Sequence, residues 1–133
     1  MPDPVDASTL KQIDLFKDLP DDALQLLADR ARETTADEGD VVIKAGAFAD
    51  QLVAIVDGTV EVQQKDEVVA KLGAGEVIGE AGVVKHELRN ATVVATSPLK
   101  AVSIAHSDIK AVRRDNPDFD ERIKSVIEER GEN

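Results

Sequence analysis

The feature that most constrains the fold is a series of short apolar runs, rich in Val and Ile, between residues 41 and 104. Polar or glycine-containing turns separate the runs, among them Asp57-Gly58, a dipeptide typical of tight β-hairpin turns. The runs cover residues 41–43, 52–56, 59–63, 68–72, 77–78, 91–95 and 100–104. Strands this short and this closely spaced predict a sandwich, a jelly roll or a small barrel.

Helical periodicity precedes the strands. Leu10, Ile13 and Phe16 recur at three-residue steps, so a helical segment is predicted from Thr9. A second helix, capped by Asp21 or Asp22, is predicted after residue 20 and should end near residues 34–35.

Helical periodicity also follows the strands. Ser107 or Asp108 is predicted to cap a helix that runs to Arg114, and residues 116–118 should break it. A last helix carries Phe119, Ile123, Val126 and Ile127. The chain is therefore predicted to be mainly β with flanking helices on both sides.

The composition excludes several classes of protein. The 133-residue chain is 42% hydrophobic but has only three Phe and no Trp or Tyr, so its core must be aliphatic. Without cysteine it has no disulfide, thiolate metal site or cysteine nucleophile. A net charge of −11 opposes nucleic-acid binding. No signal-peptide pattern and no apolar run of about 20 residues is present, which predicts a cytoplasmic domain without a membrane partner.

Unusual residue choices are concentrated between residues 77 and 93. Gly79 and Gly82 free the backbone to approach a ligand or to adopt positive φ, and successive N–H groups in such a turn can bind an anion. Arg89 could close the site with a charge-assisted fork onto phosphate oxygens. Glu80 accepts hydrogen bonds and suits a sugar hydroxyl. Together these residues indicate a nucleotide.

The order of residues in this stretch is specific. It has an apolar residue before Gly79-Glu80, a short turn, then Arg89, a further residue, Ala91 and a β-branched strand. Residues 42–43, 46, 50, 52–56 and 58 match the pattern that precedes it. In these motifs the chain, from about residue 10 to about residue 127, resembles the cyclic-nucleotide-binding domain family of cyclic-AMP receptor proteins and kinase regulatory subunits. The resemblance implies a double-stranded β-helix, a jelly-roll-like β-roll, with N-terminal helices and two C-terminal helices.

The resemblance also implies a role for each matching position. Glu80, helped by the amide of Gly79, would bind the ribose 2′-hydroxyl, and Arg89 would pair with the charge of the cyclic phosphate. The amides of Gly82 and Asn90 would complete the phosphate cradle, with Ala91 beside them in the motif. Three apolar residues would line the side of the purine: Val62, Val69 and Leu72.

The chain departs from the family pattern at two places. Asn90 stands where the family usually has Ala, Ser or Thr, a position linked to the choice between adenine and guanine. Cyclic AMP is the expected ligand, with cyclic GMP left open, and no other cofactor is expected. The last helix has no aromatic residue near its end to cap the base, so Ile123, Val126, Ile127 or Arg130 would have to replace it.

Competing interpretations start from the same residues. Glu80 and Arg89 could form a structural ion pair across a turn, and the fold could serve as a protein-interaction scaffold without ligand. A metal-dependent enzyme on a similar β-roll, as in the cupins, needs clustered ligands, whereas this chain has only His86 and His106. A sensor without catalytic activity is therefore the favoured interpretation.

The domain organisation is predicted to be simple. Residues 1–8 form a flexible tail, residues 9–130 a single cyclic-nucleotide-binding domain and residues 131–133 a frayed end. No output segment follows the last helix, so the domain is expected to act through a partner protein or through an output domain outside this sequence. The oligomeric state is left open.

Overall fold

The computed structural model describes residues 5–47, 50–79 and 91–129. Two helices come first, then strands, then two further helices. The helices are α1 (Ala7–Leu10), α2 (Asp21–Arg30), α3 (His106–Asp115) and α4 (Pro117–Glu129). The strands are β1 (Arg32–Ala36), β2 (Val41–Ile43), β3 (Gln51–Asp57), β4 (Thr59–Gln64), β5 (Glu67–Gly73), β6 (Val77–Ile78), β7 (Thr92–Ala95) and β8 (Leu99–Ala105). Of the described helices, none is long and apolar enough to cross a membrane.

The described strands form two four-stranded antiparallel sheets. The first sheet has the order β1-β8-β3-β6 and the second has the order β2-β7-β4-β5. Neighbours in the first sheet are joined in register, for example Leu52 with Ile104 and Val53 with Ser103. The prediction of a mainly β chain with two jelly-roll-like sheets and helices on both sides is confirmed.

Strand β3, in the middle of the first sheet, is buried on both faces over residues 52–55, because apolar residues occupy both sets of alternating positions. On β3, Leu52 and Ala54 pack among the helices, whereas Val53 and Ile55 pack between the two sheets. Successive strand side chains point to opposite faces, so this alternation divides the molecule into two aliphatic clusters. We call them the helical cluster and the interior cluster.

The N-terminal segment starts earlier than predicted. The helix begins at Ala7 rather than Thr9, and Val5 and Ala7 pack against the helical cluster. The prediction that it continues through Ile13 and Phe16 was wrong, because the helix ends at Leu10 and residues 11–19 form turns. Residues 1–4 of the predicted tail lie outside the described residues. Leu10, Ile13 and Phe16 are fully buried, as their spacing indicated.

The prediction that the second helix extends to residues 34–35 was wrong. The helix ends at Arg30, and residues 32–36 form β1, in which Thr34 pairs with Ala101 and Thr35 with Lys100. The physical reason is that β-branched Thr34 and Thr35 lose side-chain freedom in a helix, while β8 offers a free ladder of backbone partners.

The predicted helix caps were also wrong. Pro20 and Ala105 occupy the N-cap positions, and the carboxylates lie in the first turn instead. Asp22 Oδ1 accepts a hydrogen bond from the N–H of Ala23 at 2.9 Å. Asp108 is only 7% exposed and accepts from Arg30 Nη1 at 2.9 Å, so it joins α3 to α2 rather than capping α3.

The C-terminal helix is held against the N-terminal segment. The rings of Phe16 and Phe119 lie 5.9 Å apart, and Arg122 Nη1 donates to Asp18 Oδ2 at 2.6 Å. At its start, α4 is also tied to α3, since Asp120 Oδ1 lies 2.6 Å from Arg113 Nε. Within α4, Asp120 Oδ2 lies 3.1 Å from Lys124 Nζ.

We expect Gly58→Ala to be strongly destabilising. Gly58 has φ of +101°, and a Cβ atom there would overlap the carbonyl oxygen of Pro98. Backbone strain of about 1–3 kcal/mol should add to an overlap cost of similar size, roughly another 1–3 kcal/mol. Gly39→Ala is the matched control, because Gly39 has φ of +93° but open space around it. Urea unfolding of both variants should show the larger loss for Gly58→Ala, and equal losses would contradict the close approach of Pro98.

Hydrogen bonds from Arg113 and then Lys124 hold the pKa of the Asp120 carboxyl below its ordinary value. We expect Asp120→Asn to reduce the free energy of unfolding by roughly 1 kcal/mol at pH 7. A carboxyl with a lowered pKa stabilises the fold above its unfolded pKa, about 4, so the difference should shrink as the pH falls below that value. Asp115→Asn is the control, because Asp115 pairs only with Arg114, which is mostly exposed. We expect this substitution to change the free energy of unfolding little at any pH. Urea midpoints across this pH range are the measurement, and a difference that persists at the lowest pH would refute the assignment.

Candidate functional site

The stretch that the sequence singled out begins at the edge of the first sheet. Val77 pairs with Ala54 and Ile78 with Val53, and Ile78 belongs to the interior cluster. Gly79 follows with φ of +82°, a conformation that side-chain-bearing residues rarely adopt. This positive φ is one of the two roles that the sequence predicted for Gly79.

The turn before β6 fixes where this stretch starts. The N–H of Gly75 donates to the carbonyl of Ile55 at 2.8 Å, and the carbonyl of Gly75 accepts from the N–H of Asp14 at 2.9 Å. Glu76 closes the turn through Oε1, which accepts from the N–H of Gly73 at 3.1 Å. The strand that leads to Gly79 is therefore braced by both β3 and the N-terminal segment.

The same stretch ends in the second sheet. Ala91 is 8% exposed, and the next residues form β7, in which Thr92 pairs with Gln63 and Val93 with Val62. Thr92 Oγ1 accepts a hydrogen bond from the N–H of Ala45 at 3.1 Å, which ties β7 to the turn after β2. Because β6 and β7 belong to different sheets, the segment between them connects the two sheets.

Four predicted ligand residues lie outside the described residues: Glu80, Gly82, Arg89 and Asn90. Their roles stay predictions, as does the surface position of His86. The described residues fix both ends of the segment that carries them: Ile78 and Val93 are buried in the same interior cluster.

The inner face of the second sheet carries an apolar strip of two rows. Val62 lies between Val93 and Ala70 in one row, and Val60 lies between Ala95 and Leu72 in the other. Val60 and Ala95 are buried, whereas Val62, Ala70 and Leu72 are half-buried. The more open row is the one next to Ala91, where the connecting segment returns. A strip of this kind can pack against the flat face of a heterocyclic ring.

Val62 and Leu72 both pack against the interior cluster, and their role in lining the purine stays a prediction. Val69 lies differently. Val62 pairs with Ala70 and Gln63 with Val68, so Val69 is the additional residue of a β-bulge and is 51% exposed. Its role as a lining residue stays a prediction.

Sequence reasoning missed four members of the strip: Val60, Ala70, Val93 and Ala95. The alternation of apolar and polar residues on β4 was visible, but it does not reveal which residues of β5 and β7 lie beside Val62. The register of the sheet supplies that information, and register depends on pairing between strands that are distant in sequence.

Two of the four residues considered as caps for the base pack in the helical cluster. Ile123 is fully buried there, and Val126 packs against the same cluster. Ile127 is buried, and Arg130 lies outside the described residues. With α4 in this position, Ile123 and Val126 are therefore on the helical side of the first sheet.

In the described part of the chain, no three His, Asp or Glu side chains are grouped closely enough to hold a metal ion.

Comparison with protein-family models gives a match over most of the chain. The model described as "Cyclic nucleotide-binding domain" matches residues 33–116, from β1 to the residue after α3. The match includes both sheets and the stretch between residues 77 and 93.

Two relatives with similar sequences are longer than this chain. A cyclic nucleotide-gated potassium channel of Rhizobium etli is 32% identical over 90% of the chain, which spans 34% of the channel. A cAMP-dependent protein kinase type II regulatory subunit of Drosophila melanogaster is 36% identical over 79% of the chain, which spans 28% of that subunit. The chain thus covers about a third or less of these relatives.

The solved structures show the same fold. The cAMP-bound structure of PfPKA-R superposes with a TM-score of 0.78 over 96% of this chain and 46% of its own, at 22% sequence identity. At this level of sequence identity, the superposition shows that the two proteins share an architecture and nothing further. That architecture is the predicted β-roll with flanking helices.

The position of the strip predicts unequal effects of two similar substitutions. Val62→Ser places a hydroxyl against the interior cluster and should cost about 1–2 kcal/mol of unfolding free energy. Val69→Ser changes a half-exposed side chain and should cost under about 0.5 kcal/mol. Urea unfolding of the two variants is the measurement, and a larger loss for Val69→Ser would show that the bulge is misassigned.

Proposed function

Because the chain belongs to the cyclic nucleotide-binding domain family, we propose that it binds a cyclic nucleotide, preferably cyclic AMP, and signals occupancy to a partner protein or to an output domain outside this sequence. The observation that carries this proposal is the position of the residue 77–93 stretch. It leaves one sheet at Gly79 and enters the other after Ala91, beside a half-buried apolar strip.

The ligand chemistry follows from the residue types. In the proposed complex, Arg89 supplies the cation for the single charge of the cyclic phosphate, and the amides of Gly82 and Asn90 donate to its oxygens. Glu80 accepts a hydrogen bond from the ribose 2′-hydroxyl, beside the amide of Gly79.

The purine lies on the apolar strip in the same proposal. Val62 and Leu72 offer half-buried methyl groups there, and a ring that covers them removes apolar surface from water. This contact recognises the face of the ring and not its edge, so it serves adenine and guanine alike. The choice between them falls to groups at the ring edge, of which Asn90 carries both a donor and an acceptor.

The preference for cyclic AMP rests on likeness. The Drosophila regulatory subunit compared above is cAMP-dependent by name, and the superposed PfPKA-R structure is cAMP-bound. Because Asn90 would contact the edge of the base, a substitution there should alter the preference for cyclic AMP over cyclic GMP more than one elsewhere.

We further propose that α4 transmits the signal. Ile123 and Val126 pack in the helical cluster here, so using them to cap a bound base requires α4 to leave this position. A ligand that binds the rearranged state more tightly shifts the population toward it. The contacts that would have to break are the Phe16–Phe119 pair and the Asp18–Arg122 ion pair.

Isothermal titration calorimetry with cyclic AMP and with cyclic GMP tests the proposal. We expect saturable binding of cyclic AMP and weaker binding of cyclic GMP. Arg89→Ala should cost about 2–5 kcal/mol, a tens- to thousands-fold loss of affinity, because the bound phosphate loses its cation.

Arg114→Ala is the matched control, since it removes the same charge from a side chain that is 76% exposed and pairs with Asp115. Its affinity for cyclic AMP should equal that of the unaltered chain. No heat with either nucleotide at millimolar concentration would sink the proposal and leave the ligand-free scaffold as the alternative. Equal losses in the two arginine variants would point to net charge instead of a contact.

A further inference from the structure

A groove remains between the N-terminal segment and the two C-terminal helices, on the helical side of the first sheet. It has a volume of about 570 Å³ and runs between residues 15–20 on one wall and residues 115–125 on the other. Its apolar lining includes Leu15, Leu19 and Phe119, which are buried and form the floor. Pro20 and Pro117 are exposed and lie at its rim.

The charged lining of this groove is strongly acidic. Four carboxylates line it, those of Asp18, Asp115, Asp118 and Glu121, against the single guanidinium of Arg122. Arg122 is already bound to Asp18 at 2.6 Å, so this pair is neutral and joins the two walls. The three remaining carboxylates set the charge of the groove.

These three carboxylates have little compensation. Among the described residues, Asp118 and Glu121 make no ion pair, and Asp115 meets only Arg114 at 3.4 Å, with both side chains at least 70% exposed. Exposed pairs of this kind contribute about 0–1 kcal/mol, so Asp115 is barely neutralised.

Helix electrostatics account for one of the three carboxylates. Asp118 lies in the first turn of α4, where a negative charge is favourable. Asp115 is the last residue of α3 and lies two residues before α4, so the C-terminus of one helix disfavours its charge while the N-terminus of the next favours it, and the net gain is small. Glu121 lies beyond the first turn of α4 and gains little from the dipole. A concentration of acids that gains little from the local fold is expected where a partner, and not the fold, supplies the counter-charge.

We propose that this groove binds a basic peptide segment of a partner protein. The arginine or lysine side chains of the segment meet Asp115, Asp118 and Glu121, and an apolar residue between them packs against Pro20 and Pro117. The argument is charge complementarity in a concave, partly apolar surface, and it does not depend on nucleotide binding. The occupied groove would connect α4 with the N-terminal segment.

Fluorescence anisotropy tests the proposal with a labelled peptide in which arginine and leucine alternate with glycine and serine. At roughly physiological salt, where the Debye length is about 8 Å, only groups near the peptide contribute strongly. We expect saturable binding below about 100 µM, and at least tenfold weaker binding of the same peptide with glutamate in place of arginine.

Two variants with equal charge separate the groove from the overall field. Asp118→Asn with Glu121→Gln removes two carboxylates from the groove, and Glu38→Gln with Asp66→Asn removes two from exposed turns of the sheets. Asparagine tolerates the positive φ of Asp66. The groove variant should bind the peptide at least about tenfold more weakly, whereas the control should change by less than about twofold.

Amide chemical-shift mapping on the unaltered protein provides a second measurement that does not depend on variant folding. The peptide should perturb residues 15–20 and 115–125. Perturbations confined to the second sheet, equal weakening in the two variants, or no binding at millimolar peptide would each overturn the proposal.

Other occupants are distinguishable in the same experiments. Equal competition by spermidine would assign the groove to small polycations, and dilution-dependent shifts of the same residues without peptide would assign it to a second copy of the chain. Either result would overturn the peptide assignment. Because cyclic-nucleotide binding is measured separately by calorimetry, failure of one proposal leaves the other intact.

Discussion

Burial of strand β3 on both of its faces is the constraint on which the rest of the structure depends. Along β3, adjacent side chains serve different clusters: Leu52 and Ala54 the helical cluster, Val53 and Ile55 the interior cluster. With few aromatic residues available, the chain needs two aliphatic layers to bury enough surface, and the period of two supplies both from one strand. A shift of one residue in the register of β3 would exchange the two sets, so the strand is tightly specified.

The candidate site follows from that arrangement. β6 is short and lies at the edge of the first sheet, so the chain must leave for the second sheet soon after Ile78. Gly79 makes the departure possible through its positive φ, and Ala91 marks the arrival beside Val93. A connection between two sheets that begins and ends beside an apolar cluster can combine backbone donors with an apolar surface, the two features that a nucleotide needs.

Local signals were sufficient for most strands and turns, because β-branched runs and glycine at positive φ are properties of neighbouring residues. They failed where the structure of a segment depends on hydrogen-bond or ion-pair partners that are distant in the sequence. The sequence predicted that the second helix extends to residues 34–35. Residues 32–36 form a strand instead, because β8 provides hydrogen-bond partners about seventy positions away in the chain. Asp108 looked like a cap, yet it pairs with Arg30 of another helix. At the site, the φ of Gly79 was predictable from residue type, whereas the place of Ala70 in the strip depended on a bulge at Val69 that no local pattern reveals.

The first sheet also separates the acidic groove from the apolar strip. A chain with a net charge of −11 repels an anionic ligand at long range, so the proposed binding of a cyclic phosphate would depend on short-range contacts such as those proposed for Arg89 and backbone amides. The acidic groove is built from segments of the helical cluster, on the other side of the first sheet from the apolar strip. Fields from exposed charges decline within about 8 Å at physiological salt, so the groove and the strip, on opposite sides of the first sheet, influence each other mainly through packing. Two routes are available among the described residues. One is α4, which lines the groove and is proposed above to transmit the signal. The other is the bond from the Asp14 N–H to the Gly75 carbonyl, which joins the N-terminal segment to the turn that leads into Gly79.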